Sequence, residues 1–485
     1  MSNITDYIRN NFPIKGGEFA KFFLISYAMF ITVYVYSVMR LTKDTIVISQ
    51  LGAESISALK LYGVTPSAVI FMLLYVKLAN VFTRHQLYHI LNFFFISFAV
   101  LFAFVLYPRA DLLHFDTTAL QQSMPLFKYP LIMLSNWSYS LFYIFSELWG
   151  SAMLALTFWQ FANQSHSIDE AKRLYPVMGL LAQGGMFLSS KTVKVFSAHT
   201  FTTDWSVSLC YICSAIFIAG VTMSIAIYIV AVFIIGVDRV NGAATNKKKK
   251  EKMGFVQSLK YVMSSKYIGL ITILLLCYGS SINLVEGVWK KEAGILYPVA
   301  QNLASFMSEV QQWTAWGTIA SMLCGAFILK LVTWRTAALL TPVMILATGV
   351  PFFLFIIMTL EGVDGWSLFG LSLLGMAVLL GAVQNVLSKA IKYSFFDPTK
   401  EMAFIPLDEE LKSKGKAAAE VIGGRFGKGS GALITQAMLS TVAGSTLITL
   451  APSLFGIFFV IMLAWLYAVF ALYKEFKLKT QDQNV

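Results

Sequence analysis

Apolar runs long enough to cross a membrane recur along the whole chain, and no other feature constrains its fold as strongly. A hydrocarbon core about 30 Å thick takes about 20 helical residues to span. Lipid offers no hydrogen bonds, so every backbone N–H and C=O in such a run must be satisfied within the segment, which makes each run a helix. Twelve runs can be placed, with cores near 20–43, 60–82, 88–107, 130–162, 173–196, 206–236, 266–290, 302–329, 336–360, 368–396, 417–446 and 450–473. Of the 485 residues, 13% are charged and 57% hydrophobic. A soluble domain carries about 25% charged residues, and no connection here is long enough to hold one. The expected class is all-α, a polytopic membrane protein with 12 transmembrane helices. The fourth run exceeds one crossing, so it should tilt or project beyond the membrane surface.

The longest hydrophilic connection carries "KKKKEK" at Lys247 to Lys252. It divides the chain into an N-terminal six-helix bundle at 1–240, a basic linker at 241–265 and a C-terminal six-helix bundle at 266–485. Transporters built from two parallel six-helix repeats have this layout. Connections after even-numbered runs hold Arg84, Lys172 and Arg173, the lysine run, Lys330 and Arg335, and then Lys400, Lys412, Lys414 and Lys416; those after odd-numbered runs are poor in basic residues. The positive-inside rule therefore puts the even connections and both termini in the cytoplasm. The stretch before the first run contains acids and a proline, and no small-residue cleavage site follows, so span one reads as a retained helix and not a cleaved signal.

The formal charge of +12 invites a nucleic-acid reading. The charges are spread over five connections and a tail, however, without the aromatic interleaving of a binding face. Topology and anionic lipid headgroups account for them, so membrane lipid and not nucleic acid is the expected partner. Cys210 and Cys213 form a C-x-x-C inside an apolar run, and Cys277 and Cys324 are isolated; all four read as small apolar fillers. His85 and His89 have helical spacing but no third ligand nearby, so no metal site is expected. No cofactor is expected either.

An ionisable group at bilayer depth is costly unless it lines water or finds a partner, so charges inside the runs form the functional shortlist. Span four sets Asn136, Ser140, Tyr143, Glu147 and Ser151 on one face. Glu147 either pairs with a cation to lock two helices or stands in a water-filled cavity as a site or gate residue. In span one Tyr36, Arg40 and Lys43 share a face. These cations either snorkel to the outer surface or line a cavity, and Asp44 beside Lys43 argues against a bare anchor. Span seven places Gly279, Asn283, Glu286 and Lys290 together, where Glu286 and Lys290 can also pair at i, i+4. Span ten offers Gln384, Ser388 and Lys392. Spans one, four, seven and ten thus carry the polar faces.

Span eleven opens with "KGKAAAEVIGGRFGKGSGALI", which holds Arg425 and Lys428. A phosphate-loop pattern fails, because Ile422 stands at the first glycine and Gly429 where Ser or Thr should follow Lys428. Its glycines suit close helix packing or a break in the helix. Arg40, Lys43, Lys290, Lys392, Arg425 and Lys428 outnumber Glu147 and Glu286, so a cavity built from these faces favours a polyanion. Tyr36, Trp149, Trp289 and Tyr393 lie near enough in sequence to offer a base a stacking face, though each also reads as ordinary packing.

Seven segments, in order "RLTKDTIVIS", "AESISALKLYGVTPSAVIFMLLYVKLAN", "SELWGSAMLALTFWQFANQ", "DEAKRLYPVMGLLA", "YGSSINLVEGVWK", "QNVLSKAIKYSFFDPTKEMAFIPLD" and "KGKAAAEVIGGRFGKGSGALI", carry a resemblance over nearly the whole length. The chain resembles the ATP:ADP antiporter family of obligate intracellular bacteria and plastids, typified by the rickettsial and chlamydial ATP/ADP translocases. The resemblance implies a major-facilitator-like fold in which spans one, four, seven and ten line the cavity. It implies exchange of external host ATP for internal ADP, with phosphate as a further carried anion, by a monomer in a bacterial inner membrane. Its transport residues match Lys43, Glu147, Glu286 and Lys428. Related members often read G-K-S-G-G where this chain has Gly427-Lys428-Gly429-Ser430-Gly431. Other members import nucleotides with protons or carry NAD, and these remain the alternative cargoes.

Two other classes compete. A membrane-embedded enzyme acting on a phosphorylated lipid would need a carboxylate cluster for metal, and Glu147 and Glu286 are far apart in sequence. A receptor or passive structural protein leaves the charged faces of four spaced helices without a use. The expectation is a transporter and not an enzyme.

Overall fold

The computed structural model describes residues 14, 17–236, 260, 262, 264–363, 367–368, 370–408, 414–442 and 444–482. Among them, ten helices are long and apolar enough to cross a membrane: α1 (Phe19–Gln50), α2 (Ser55–Val81), α3 (Arg84–Leu106), α4 (Trp137–Ser165), α6 (Trp205–Ile235), α7 (Lys266–Leu296), α8 (Ala300–Leu331), α9 (Trp334–Leu360), α10 (Leu373–Phe404) and α12 (Ala451–Thr480). Two more complete the expected twelve: α5 (Ile168–Phe196), and α11, which runs over 416–441 with a π-turn at Glu420–Arg425. Most of the linker, with its lysine run, lies outside the described residues. A two-residue hairpin, Ser367–Leu368 with Leu371–Ser372, precedes α10.

Short polar residues set the helix starts, because their oxygens accept from backbone N–H groups that have no partner in the first turn. Thr83 with Gln86 and Ser167 with Glu170 form reciprocal capping boxes at α3 and α5. Ser265, Thr333 and Ser372 accept in the same way at α7, α9 and α10. The fourth run is not one continuous helix. The chain breaks at Asn136, which separates a short helix at Lys128–Ser135 from α4.

Helices α1 and α7 run past their expected ends, to Gln50 and Leu296. Arg40, Lys43 and Asp44 therefore sit inside a continuous helix. A charged residue reads as the end of an apolar run, but here partners on other helices let the helix continue.

Close glycine contacts tie each half together, and they repeat from one half to the other. In the first half Gly150 of α4 faces the Tyr36 ring of α1, Gly185 of α5 lies against the Phe30 carbonyl of α1, and Gly220 of α6 meets Ile96 of α3. In the second half Gly381 of α10 faces Trp289 of α7, Gly427 of α11 meets the Leu275 carbonyl of α7, and Gly349 of α9 meets Phe458 of α12. Lipid supplies no hydrophobic drive between helices, so backbone approach at small residues holds such bundles. Gly423, Gly427 and Gly431 form one stripe at four-residue spacing, and a Cβ on each would lie 2.5, 2.8 and 2.6 Å from its nearest atom on α7. The glycine-dense start of span eleven is thus a packing surface.

The two halves meet mainly at the end that carries the odd-numbered connections. There α5 packs along α8, with Gln311 donating to Ser189 at 2.8 Å, Lys194 paired with Glu309 at 2.6 Å and Gln301 donating to the Thr203 carbonyl at 2.7 Å. Ser57 of α2 donates to Gln436 of α11 at 2.9 Å. At the opposite end the pairs Lys21–Glu170 and Lys266–Glu475 each join helices of one half. Among the described residues, the contacts named here between the halves therefore seal the odd-connection end.

Gly427→Val should lower the thermal midpoint of the purified protein, because the added atoms cannot be placed without moving α11 off α7; overpacking of this kind costs about 1–3 kcal/mol. Gly429, with nothing within 4 Å of an added Cβ, should accept Ala without loss. Equal melting of both variants and the parent would remove the stripe from the account.

Candidate functional site

Charges from both halves converge below the sealed end. The Lys43 ammonium lies 2.7 Å from Asp44 Oδ1, 2.9 Å from Glu147 Oε1 and 4.0 Å from the centre of the Tyr143 ring. From the other half, Lys290 reaches Asp44 Oδ2 at 2.9 Å and Glu286 Oε1 at 3.3 Å. Arg40 pairs with Glu286 at 3.0 Å, and Lys389 lies 4.0 Å from the same oxygen. Lys60 of α2 donates to Asn283 Oδ1 at 2.8 Å. Closer to the seal, Lys291 pairs with Glu54 at 2.8 Å. Taking such groups out of water is expensive, and shared carboxylates with good geometry offset that cost.

The arrangement unites helices α1, α2, α4, α7 and α10. It brings together Arg40, Lys43, Glu147, Asn283, Glu286 and Lys290. Tyr36 joins them, its ring against Gly150 and within the field of Arg40, Glu147 and Lys43. Lys392 stands apart, paired with Asp397 at 2.7 Å and lying over the Tyr393 ring at 4.6 Å. The side chains of Arg425 and Lys428 lie outside the described residues. Two of the four aromatic candidates are committed to packing. Trp149 is fully buried with its N–H toward the Thr32 carbonyl at 3.5 Å, and Trp289 donates to the Val378 carbonyl at 2.9 Å.

Three members escaped the sequence reading: Lys60, Lys389 and the central role of Asp44. Lys60 lies in a π-turn at Leu59–Val64, and a second π-turn at Lys392–Phe396 ends the regular part of α10. Of the expected α10 face, Gln384 and Ser388 are buried while Lys392 is partly exposed, and the helix reaches the cluster through Lys389. Lone lysines within the apolar runs "LKLYGV" and "VLSKAI" were the available signal.

Five cations (Arg40, Lys43, Lys60, Lys290, Lys389) face three carboxylates (Asp44, Glu147, Glu286), a surplus of two positive charges. Lys43 and Lys290 are buried, their side chains 3% and 4% exposed, whereas Arg40 and Glu147 are 31% and 30% exposed. The exposed members can meet an incoming ligand, and the buried pair holds the halves together. A cavity of about 60 Å³ lies between Arg40, Asp44, Glu286, Lys290, Lys389 and Gln311, room for water only. In a low-dielectric wall this surplus favours an anion, most strongly one with several phosphate oxygens.

Solved structures of the D-xylose–proton symporter (TM-score 0.57, 11% identity, 94% of this chain and 97% of that one) and of a bacterial homologue of the iron transporter ferroportin in its inward-facing state (TM-score 0.57, 12% identity, 93% and 98%) share this fold, which is of the major facilitator type. Sequence relatives are closer. ADP,ATP carrier protein 1 of Rickettsia bellii (strain RML369-C) is 40% identical over 477 residues, covering 96% of this chain and 95% of that protein. The protein of the same name from Rickettsia prowazekii (strain Madrid E) is 41% identical with the same coverage. The TLC ATP/ADP transporter family model matches residues 1–476. By this match along nearly its full length, the chain belongs to the TLC ATP/ADP transporter family.

Proposed function

We propose that this protein exchanges external ATP for internal ADP by alternating access, with phosphate as a further carried anion. The observation that carries the reading is the cation surplus shared between the two halves, in a chain whose relatives are named ADP,ATP carriers. Turning an uncompensated positive site through a low-dielectric barrier is costly, and bound nucleotide supplies the missing charge. The loaded carrier therefore reorients readily and the empty one slowly, so that exchange is obligatory. In this reading Lys43, Glu147 and Glu286 set the state of the cluster, Arg40, Asn283, Lys290 and Tyr36 complete its wall, and Lys392, Arg425 and Lys428 supply further positive charge toward the even connections. Residues 1–240 and 266–485 move as two bundles about the sealed end. The protein acts as a monomer in a bacterial inner membrane, with the even connections and both termini cytoplasmic.

In reconstituted vesicles, labelled ATP should enter those preloaded with ADP at least about tenfold faster than empty ones, the ratio that a barrier difference of about 1.4 kcal/mol gives. Equal entry into empty vesicles driven by an imposed proton gradient would replace exchange with proton-coupled import. Lys43→Gln and Glu147→Gln should each cut exchange by about tenfold or more, because either removes the Lys43–Glu147 pair from the wall of the site, while the protein still inserts. Normal uptake by both would make them inert helix-locking residues. For the orientation, a cysteine at Asp169 in a Cys324→Ser background should react with an impermeant thiol reagent only from the cytoplasmic face; labelling from outside would invert the topology.

A further inference from the structure

Residues 107–136 join α3 to α4 at the odd-connection end. They contain short helices at Ala110–Leu113, Thr118–Ser123 and Lys128–Ser135. The stretch is clamped at its base: Trp137 donates to the Leu113 carbonyl at 2.9 Å, His114 Nε2 lies 2.7 Å from Ser138 Oγ, and the Phe115 N–H donates to the Ser135 carbonyl at 3.3 Å. Lys128–Ser135 packs on the start of α2, and the turn Pro125–Phe127 packs on α11 of the other half. Tyr129 donates to the Ser445 carbonyl, beyond the end of α11, at 3.5 Å. The connection is therefore a strap laid across the junction between the halves.

Of residues 111–129 only Thr117 and Tyr129 are buried. Leu112, Phe115, Leu120, Met124, Leu126 and Phe127 are each between 50% and 85% exposed. A single exposed apolar side chain needs no explanation, but six on one strap make a patch that calls for a cover. Two observations identify that cover. Both ends of the strap are tethered to helices long and apolar enough to cross a membrane, which keeps it at the height of the membrane surface. The patch also continues the lipid-facing flank of α3, where Leu101, Phe104 and Val105 are exposed just before the strap begins. Its charges balance, with Arg109 and Lys128 against Asp111 and Asp116, so attraction to anionic headgroups is weak and apolar burial supplies the drive.

We propose that the strap lies in the leaflet on the odd-connection side, with its apolar side chains at the boundary between headgroups and acyl chains, and that a zwitterionic phospholipid surface is its partner. Segments that lie in the plane of the interface bury one apolar side in this way. Because the strap starts in the first half and rests on α11 of the second, it ties the leaflet to both halves. Parting of the halves at this end must either break the Tyr129 contact or draw the strap along the interface. The assignment is independent of the cargo.

The test uses the full-length chain in vesicles of zwitterionic phospholipid, with a nitroxide on Leu112→Cys, Leu120→Cys or Leu126→Cys in a Cys324→Ser background. Collision with oxygen, relative to collision with a water-soluble nickel chelate, should be severalfold higher at each of the three than at a label on Thr200, which is exposed in the α5–α6 connection. The ratio should hold when anionic lipid replaces part of the zwitterionic lipid. A ratio equal to that at Thr200 would leave the strap in water and overturn the proposal. Shielding from both reagents would overturn it too, since a protein surface would then be the cover, and a high ratio seen only with anionic lipid would overturn the zwitterionic partner. A second measurement uses the unaltered protein: a phospholipid carrying a diazirine near its glycerol should, on illumination, label peptides within 109–128, read by mass spectrometry. Labelling of α3 without labelling of these peptides would contradict the proposal.

Discussion

Asp44 holds one lysine from each half of the molecule, Lys43 on one carboxylate oxygen and Lys290 on the other. The rest of the sealed end depends on this double contact. Both lysines are buried, and an ammonium in such a place is tolerable only while a carboxylate faces it. Separating the halves at this level breaks at least the Asp44–Lys290 and Arg40–Glu286 pairs together. The junction is consequently two-valued. Either the acids of one half hold the cations of the other, or something else must neutralise them.

Such a switch needs rigid halves, and the glycine contacts supply them. Where Gly427 meets the Leu275 carbonyl and Gly185 the Phe30 carbonyl, helices touch backbone to backbone with no side chain left to give. Packed elements of this kind move as units. Contacts across the junction are different in character: hydrogen bonds and ion pairs such as Gln311–Ser189, Lys194–Glu309 and Lys291–Glu54, which water or a ligand can replace.

Much of this was legible in the chain. Run length and apolarity gave the twelve helices, and the spacing of polar residues named four of the five helices that build the cluster. What stayed hidden has a common physical cause. A sequence shows a charge and its neighbours along one helix, whereas the cost of burying it is offset by residues elsewhere. Lys43 looked like the end of a span because Glu147 lies on another helix. Lys389 lies one position off the four-residue polar spacing of Gln384, Ser388 and Lys392, and Lys60 stands alone in an apolar stretch that the structure winds into a π-turn. The asparagine break at 136 was equally invisible, since nothing in an apolar run marks where a helix stops except the backbone geometry itself.

The central claim is that Asp44 and its two lysines keep the substrate-free carrier sealed at the odd-connection end. Spin labels at Thr200 and Val299, on opposite halves near that end, measure the opening directly by pulsed dipolar spectroscopy. The parent without nucleotide should give one short distance, and Asp44→Asn should add a longer population without any ligand. A distribution unchanged by Asp44→Asn would contradict the account and place the seal in the α5–α8 contacts instead.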